Sequence, residues 1–477
     1  MKQQQTPLFD QLLLHAGSNP LSYHVPGHKN GAVFPDEAKH YFKNILKLDV
    51  TELTGLDDLH SAEGVILESE ALLADLYGAK RSFFLVNGST VGNLAMILSS
   101  LNEGDQVLVQ RNSHKSIMNG IRLAKADPVF LNPEYHLDWA VAGGVSLEVV
   151  KEATKQFPAA KVLILTYPNY YGLAYEIKEI IKFAHEQNIA VLVDEAHGVH
   201  FAVNPLFPES AIALGADIVV QSAHKTLPAM TMGAYLHFNS NLQSVDKLTS
   251  YLQMLQSSSP SYPLMASLDL ARSYLGTYSK EDISYLMQSV EGFKNQLDSL
   301  SDIKVLTSER YKVDPLKVTI QSTKGLSGYE VQQLLEREGV YTELADPINV
   351  LLILPLLKKD MFFPFDDTIG KIHKALKNTC KTKAQAEPIK SSEPFSVLSV
   401  SYKEMEQLTN LVIPLEESAG KICAEMIIPY PPGIPLILPG EKITKKAIEE
   451  LIRLLKNKAK IQGGEYLAKA RIKVFHR

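Results

Sequence analysis

Cysteine is nearly absent: two residues, Cys380 and Cys423, in 477. Two thiols exclude a disulfide framework and fit a reducing cytosol, with both free and structural. The first residues, Met1-Lys2-Gln3-Gln4-Gln5-Thr6-Pro7, hold no apolar signal core. No apolar run is long enough to span a membrane, because Pro, Gly or charge breaks each run at strand length. No charge of one sign dominates. The formal net charge is −5, which argues against a dedicated nucleic-acid binder. There is no internal repeat and no low-complexity segment. What is present, 45% hydrophobic and 21% charged residues, describes an ordinary soluble globular protein. The chain is too long for one core, since domains of ~100–200 residues are usual.

The pattern along the chain divides it. Residues 1–61 read as an N-terminal arm, with a helix over Pro7–Ala16 and two loops, Tyr23–Gly31 and Leu56–His60. Residues 62–290 read as a large α/β domain. Strands are expected at Ser82–Val86, Gln106–Gln110, Pro128–Leu131, Lys161–Thr166, Ala190–Asp194 and Ile218–Gln221. Helices fall between them, at Val91–Leu101, Ser113–Ala124, Leu147–Gln156 and Glu176–Gln187. The strands are almost continuously apolar, as they are when both sheet faces are covered. Alternating strands and helices predict a mostly parallel sheet with helices on both faces. Residues 291–380 read as a smaller α/β domain and 381–394 as a polar linker with two prolines. Residues 395–477 read as a C-terminal α+β domain whose tail from Glu441 carries eleven Lys/Arg against four Glu, a pattern typical of a solvated helix face.

Ligands of such sheets sit beyond the carboxyl ends of the strands, and the chemically suggestive residues cluster there. Ser222-Ala223-His224-Lys225-Thr226 follows the strand Ile218–Gln221. A lysine on a tight turn after a buried strand can be kept unprotonated by burial, which imine chemistry needs. Ser222 and His224 on the same turn can bind phosphate. Asp194 ends the preceding strand, where a carboxylate can hold a pyridine nitrogen protonated. The pair reads as a pyridoxal 5'-phosphate (PLP) site, with Lys225 as the Schiff-base lysine. Asn87-Gly88-Ser89-Thr90 lies between a strand and a helix. Gly88 lets backbone approach an anion, while Ser89 and Thr90 can cap the helix whose first N–H groups face a phosphate. Ala196 leaves room for a flat ring on one face, and His114 could stack on the other.

Each feature has a plainer reading: Lys225 snorkelling to the surface, Asp194 making a turn hydrogen bond, Gly88–Thr90 serving as an ordinary cap, His114 as a cap or core residue. Their coincidence favours the cofactor site. Asp194-Glu195-Ala196-His197 also spells a helicase-type motif, but no G-x-x-x-x-G-K-[ST] phosphate loop accompanies it. A metal site at Asp194, His197 and His200 is disfavoured, because a turn after a strand does not set these residues on one helix face.

With these residues placed, the sequence resembles the fold-type-I PLP enzymes, and within them the ornithine/lysine/arginine decarboxylase family. It is similar to the short form typical of Gram-positive bacteria, which lacks the N-terminal response-regulator-like domain. The resemblance rests on Ser222–Lys225, Asp194–Gly198, Arg111–Ser116 and the C-terminal run Pro429–Pro435 with Pro439-Gly440-Glu441. It implies phosphate binding by Ser89, Thr90, Ser222 and His224, and ring stacking by His114. Ser258 and Ser259 would contribute from a neighbouring subunit, hence a homodimer or dimer-based oligomer with shared active sites. The implied reaction removes the carboxylate of a basic amino acid, lysine or arginine ahead of ornithine as the candidate substrate, in the cytoplasm, feeding polyamine synthesis or acid resistance. Lys225 or His197 would return the proton to Cα. A cationic substrate needs an acid at the far end of its pocket, and Glu343, before a strand of the smaller domain, is the candidate. An aminotransferase or oxidase on the same scaffold is the main alternative, and a PLP-binding protein without catalysis is the other.

Overall fold

The computed structural model describes residues 1–377, 379, 393–429, 433–456 and 459–476. Cys380, most of the expected linker and Tyr430-Pro431-Pro432 lie outside the described residues. The chain divides into two compact units, residues 1–100 with 190–280, and residues 101–189 with 281–477.

In the first unit, strand Ala190–Asp194 pairs parallel with Ile218–Gln221. Ile218–Gln221 then pairs antiparallel with Ala234–Phe238, which pairs antiparallel with Arg81–Leu85. The first two strands have the bounds expected from their apolar runs. Ala234–Phe238 is an addition: its run, Ala-Tyr-Leu-His-Phe, is fully buried although it contains a histidine. Helix Gly88–Ser100 follows the strand Arg81–Leu85 and starts three residues before the expected Val91. Gly88 sits at φ +74°, a conformation glycine adopts without a Cβ penalty. A Cβ at Gly92 would come within 2.6 Å of Leu85 and 2.9 Å of Val220. Close backbone approach thus seats the start of this helix on the strands.

Helices Pro7–Gly17, Val65–Tyr77 and Tyr262–Gly276 pack together in the same unit. Val65–Tyr77 buries Glu70, whose Oε1 accepts the Phe84 N–H at 2.9 Å. Burial raises this carboxyl from 4.5 to about 8. A carboxyl raised in the fold binds a proton that the unfolded chain has released, so stability falls as pH rises from about 4.5 to about 8. Glu70→Gln is expected to flatten that slope, gaining about 2 kcal/mol over wild type at pH 8 relative to pH 5. Urea unfolding at the two pH values checks it; an unchanged slope refutes it.

In the second unit, Gln106–Gln110 pairs parallel with both Asp127–Leu131 and Val162–Thr166, as expected for crossover-linked strands. Phe395–Val397 adds an antiparallel edge to Asp127–Leu131. A second sheet has the order Ile303–Val305, Lys317–Ser322, Asn349–Ile353, Leu344–Ala345. Helix Gly328–Arg337 packs on it and opens with a capping box between Ser327 and Glu330. The C-terminal segment has its own core of Leu415, Cys423, Ile427, Ile437, Leu451 and Ile472. The two-stranded pair Thr409–Pro414 and Arg471–His476 contributes to it. Cys423 is buried, and burial pushes its thiol up to about 12, as befits an inert structural cysteine.

Candidate active site

Asp194 and Lys225 sit where parallel pairing places ligands. Asp194 is the last residue of its strand and lies opposite Val220 on the next. Four residues after Gln221 ends that strand, the single turn Ala223–Lys225 presents the lysine. Both groups therefore leave the carboxyl ends of paired strands.

Asp194 is 3% exposed. Its Oδ2 accepts from Asn93 Nδ2 at 3.0 Å and its Oδ1 from the Ala196 N–H at 3.2 Å. Among the described residues it makes no ion pair. Burying a carboxylate without a cation is costly, and a positively charged ligand atom would offset that cost. Asn93 lies on helix Gly88–Ser100 and is itself 1% exposed. It was missed in the sequence, where an Asn inside a helix is unremarkable. Its signal is positional, a polar residue one position after Gly92 on the face turned to the strands.

Lys225 Nζ lies 3.0 Å from His197 Nε2. His197 is buried, whereas Lys225 is half-buried. A single proton shared between amine and imidazole satisfies both nitrogens. Ser222 Oγ donates to Ser89 Oγ at 2.8 Å, linking the lysine turn to the helix start. A Cβ at Gly88 would meet nothing within 4 Å, so space is open above this turn. Thr90 is exposed there. Among the described residues, Thr226 Oγ1, next to Lys225, is buried without a hydrogen-bond partner. His224 Nδ1 lies 3.0 Å from the Gly233 carbonyl. That contact requires Nδ1 to carry a proton, since the carbonyl can only accept.

Ser258 and Ser259 are both exposed on the segment after helix Val245–Leu255. That segment is pinned at Ser257, whose N–H donates to Asn87 Oδ1 and whose carbonyl accepts from His60 Nε2 at 2.8 Å. His60 was read in the sequence only as part of a loop.

Behind Asp194 lies a polar chain that the sequence did not suggest. Glu195 accepts from the Ala211 N–H, Ser210 Oγ and Gln221 Nε2 at 2.7, 3.0 and 2.5 Å. Gln221 Oε1 in turn contacts His237 Nε2, and His237 Nδ1 contacts Ser82 Oγ. Burial raises Glu195 to about 8 against the pull of its three donors and lowers His237 to about 3. The chain ties adjoining strands through buried hydrogen bonds.

The remaining candidates belong to the second unit. His114 caps helix Lys115–Ala124, with Nδ1 2.8 Å from Ser116 Oγ. Glu343 is exposed and accepts from Tyr170 Oη at 2.6 Å. Two sequence blocks of the resemblance meet in this unit. Arg111 makes a bidentate pair with Glu441, at 3.1 and 2.9 Å, and also donates to the Pro435 and Leu436 carbonyls. The Lys115 N–H donates to the Gly433 carbonyl at 3.1 Å. Among the described residues no cluster of three or more His, Cys, Asp or Glu is placed to hold a metal, and no helix is long and apolar enough to cross a membrane.

The residues present fit PLP. A buried carboxylate without a cation suits a protonated ring nitrogen, and serine hydroxyls at a helix start suit a phosphate. Comparison with known proteins points the same way. A model of the Orn/Lys/Arg decarboxylase major domain matches residues 6–308, and one of the C-terminal domain of that family matches residues 384–463. An uncharacterized protein of Bacillus subtilis is 47% identical over 98% of each chain. Arginine decarboxylase of Bacillus subtilis is 34% identical over 98% of this chain and 96% of its own. The solved constitutive lysine decarboxylase of E. coli has the same fold, with a TM-score of 0.81 at 20% identity over 99% of this chain and 82% of that one. The chain belongs to the Orn/Lys/Arg decarboxylase family.

Proposed function

We propose that this protein decarboxylates arginine, with PLP as cofactor. The observation that supports it most is the buried, cation-free Asp194 at the end of one strand, beside the strand that leads to Lys225. Arginine is preferred over lysine because a full-length relative bearing that activity stands at 34% identity.

When bound, PLP would supply an electron sink for the carbon that loses its carboxylate. Lys225 would tether it. Asp194 would keep the ring nitrogen protonated, with Asn93 and the Ala196 N–H fixing the carboxylate. Ser89, Thr90, Ser222 and His224 would hold the phosphate, aided by Gly88 at the helix start. Ala196 and His114 would flank the ring. His197 lies within proton-transfer distance of Lys225, and one of the two would return the proton to Cα. Glu343 would meet the guanidinium, and Ser258 and Ser259 would reach the active site of a second subunit in a homodimer. The domain divisions inferred from sequence and a cytoplasmic location complete this reading.

The test is to incubate the PLP-loaded protein with arginine, lysine and ornithine separately and to identify the products. Agmatine and carbon dioxide from arginine are expected, at a kcat/KM at least tenfold above that for lysine. Cadaverine as the main product would move the assignment to lysine. A keto acid would replace decarboxylation with transamination or oxidation.

A further inference from the structure

The polar chain behind Asp194 takes no part in the proposed reaction, yet its course follows the strands that carry the site. Glu195 directly follows Asp194, and Gln221 directly precedes Ser222 and the turn that presents Lys225. The backbone register between these two strands ends at Asp194 opposite Val220, where the Glu195 N–H donates to the Val220 carbonyl at 2.8 Å. Just past that point Gln221 Nε2 donates to the Glu195 carboxyl at 2.5 Å. Gln221 Oε1 lies 3.0 Å from His237 Nε2 on the next strand, Ala234–Phe238. His237 Nδ1 lies 2.8 Å from Ser82 Oγ on Arg81–Leu85, the strand that leads to Gly88-Ser89-Thr90. One run of side-chain hydrogen bonds therefore crosses the adjoining strands that lead to the ring-nitrogen partner, the tether and the phosphate cradle. All four of its side chains are buried. Such a run adds little to stability, because apolar groups of the same shape would be nearly neutral replacements. What it supplies is direction. An amide held by Glu195 at Nε2 and by His237 at Oε1 has one orientation.

We propose that Gln221 and Glu195 are positioning residues for the cofactor, their bond fixing the separation between Asp194 and Lys225. The inference rests on the decarboxylase reading. Neither side chain touches the cofactor; both act through the residues beside them, Asp194 on one strand and the Ser222–Lys225 turn on the other.

Three variants of the full chain test it: Gln221→Met, Glu195→Gln and the exchange Glu195→Gln/Gln221→Glu. Gln221→Met removes the donor, and Glu195→Gln sets one amide NH₂ against another. Each single variant is expected to weaken PLP binding about tenfold and to lower kcat for arginine roughly 10–100-fold, the scale of loss when a reacting group is misplaced. The exchange restores one donor facing one acceptor, with the direction reversed, and leaves an acceptor for His237. It should bring PLP affinity and kcat back to within about threefold of wild type. Melting temperature with and without PLP separates positioning from plain structural support. The rise that PLP produces reports its affinity, so it should shrink in the single variants and return in the exchange. Glu195→Gln keeps the wild-type volume and carries the comparison where Gln221→Met does not fold. Single variants that melt lower by the same amount with and without PLP, and bind it as wild type does, overturn the inference and leave the decarboxylase reading intact. So does an exchange as weak as the single variants. A wild-type protein that binds no PLP overturns both.

Discussion

Lys225→Ala is expected to lower kcat for the amino-acid substrate by at least ~10⁴-fold, about 5 kcal/mol of barrier. The variant loses both the tether for the cofactor and one of the two bases that share a proton at 3.0 Å. Because these roles converge on one nitrogen, the loss should exceed that for His197→Gln, which leaves the amine in place. The visible absorbance of the loaded protein should vanish and the cofactor should wash out on dialysis. The fold should persist, since the side chain is half-buried and its turn is held by backbone: the Lys225 N–H donates to the Ser222 carbonyl, and the Leu227 N–H to that of Ala223. Activity within tenfold of wild type would remove Lys225 from the chemistry and the PLP assignment with it.

Lys225 and Asp194 were legible because their surroundings are local. The strands Gln106–Gln110, Ala190–Asp194 and Ile218–Gln221 are continuous apolar runs bounded by polar turns, so their ends, and the residues just beyond, can be read off the chain. Helix starts were less legible. Gly88-Ser89-Thr90 reads as a turn because these residues favour caps, yet the contact of Gly92 with Leu85 and Val220 seats the helix from Gly88 onward. What supports the site was hardly legible at all. Asn93 reaches Asp194 across 101 residues of sequence, Gln221 reaches Glu195 across 26, and Arg111 reaches Glu441 across 330. These pairings exist only once strands and helices are packed, and no period or spacing announces them. His237 illustrates the same limit. A histidine in a short apolar run gives no sign that it will be wholly buried and neutral between Gln221 and Ser82.

Asp269→Ala is expected to destabilise the first unit by about 3–5 kcal/mol. Asp269 and Arg272 form an ion pair at 2.7 Å with both side chains fully buried. Removing the carboxylate strands a guanidinium in the core, and that penalty exceeds the worth of the contact itself. Two further bonds go with it. Asp269 Oδ2 accepts the Leu8 and Phe9 N–H groups at 3.1 and 3.4 Å. These are first-turn donors of helix Pro7–Gly17, whose own Thr6 provides no side-chain cap, so the carboxylate does a cap's work from another helix. Burial raises this carboxyl above its usual value, with Arg272 pulling it back down. Arg272 also donates to the Gln3 and Gln5 carbonyls, so the segment before the helix hangs on the same pair. The variant should melt roughly 5–10 °C below wild type and should be cut by protease within its first twenty residues before the rest unfolds. Asp269→Leu/Arg272→Met, which removes both charges, should recover part of the melting temperature but not the protection of the N-terminal segment. A single variant that melts with wild type would show that solvent or another group compensates Arg272, and would refute the pair as the anchor of the arm.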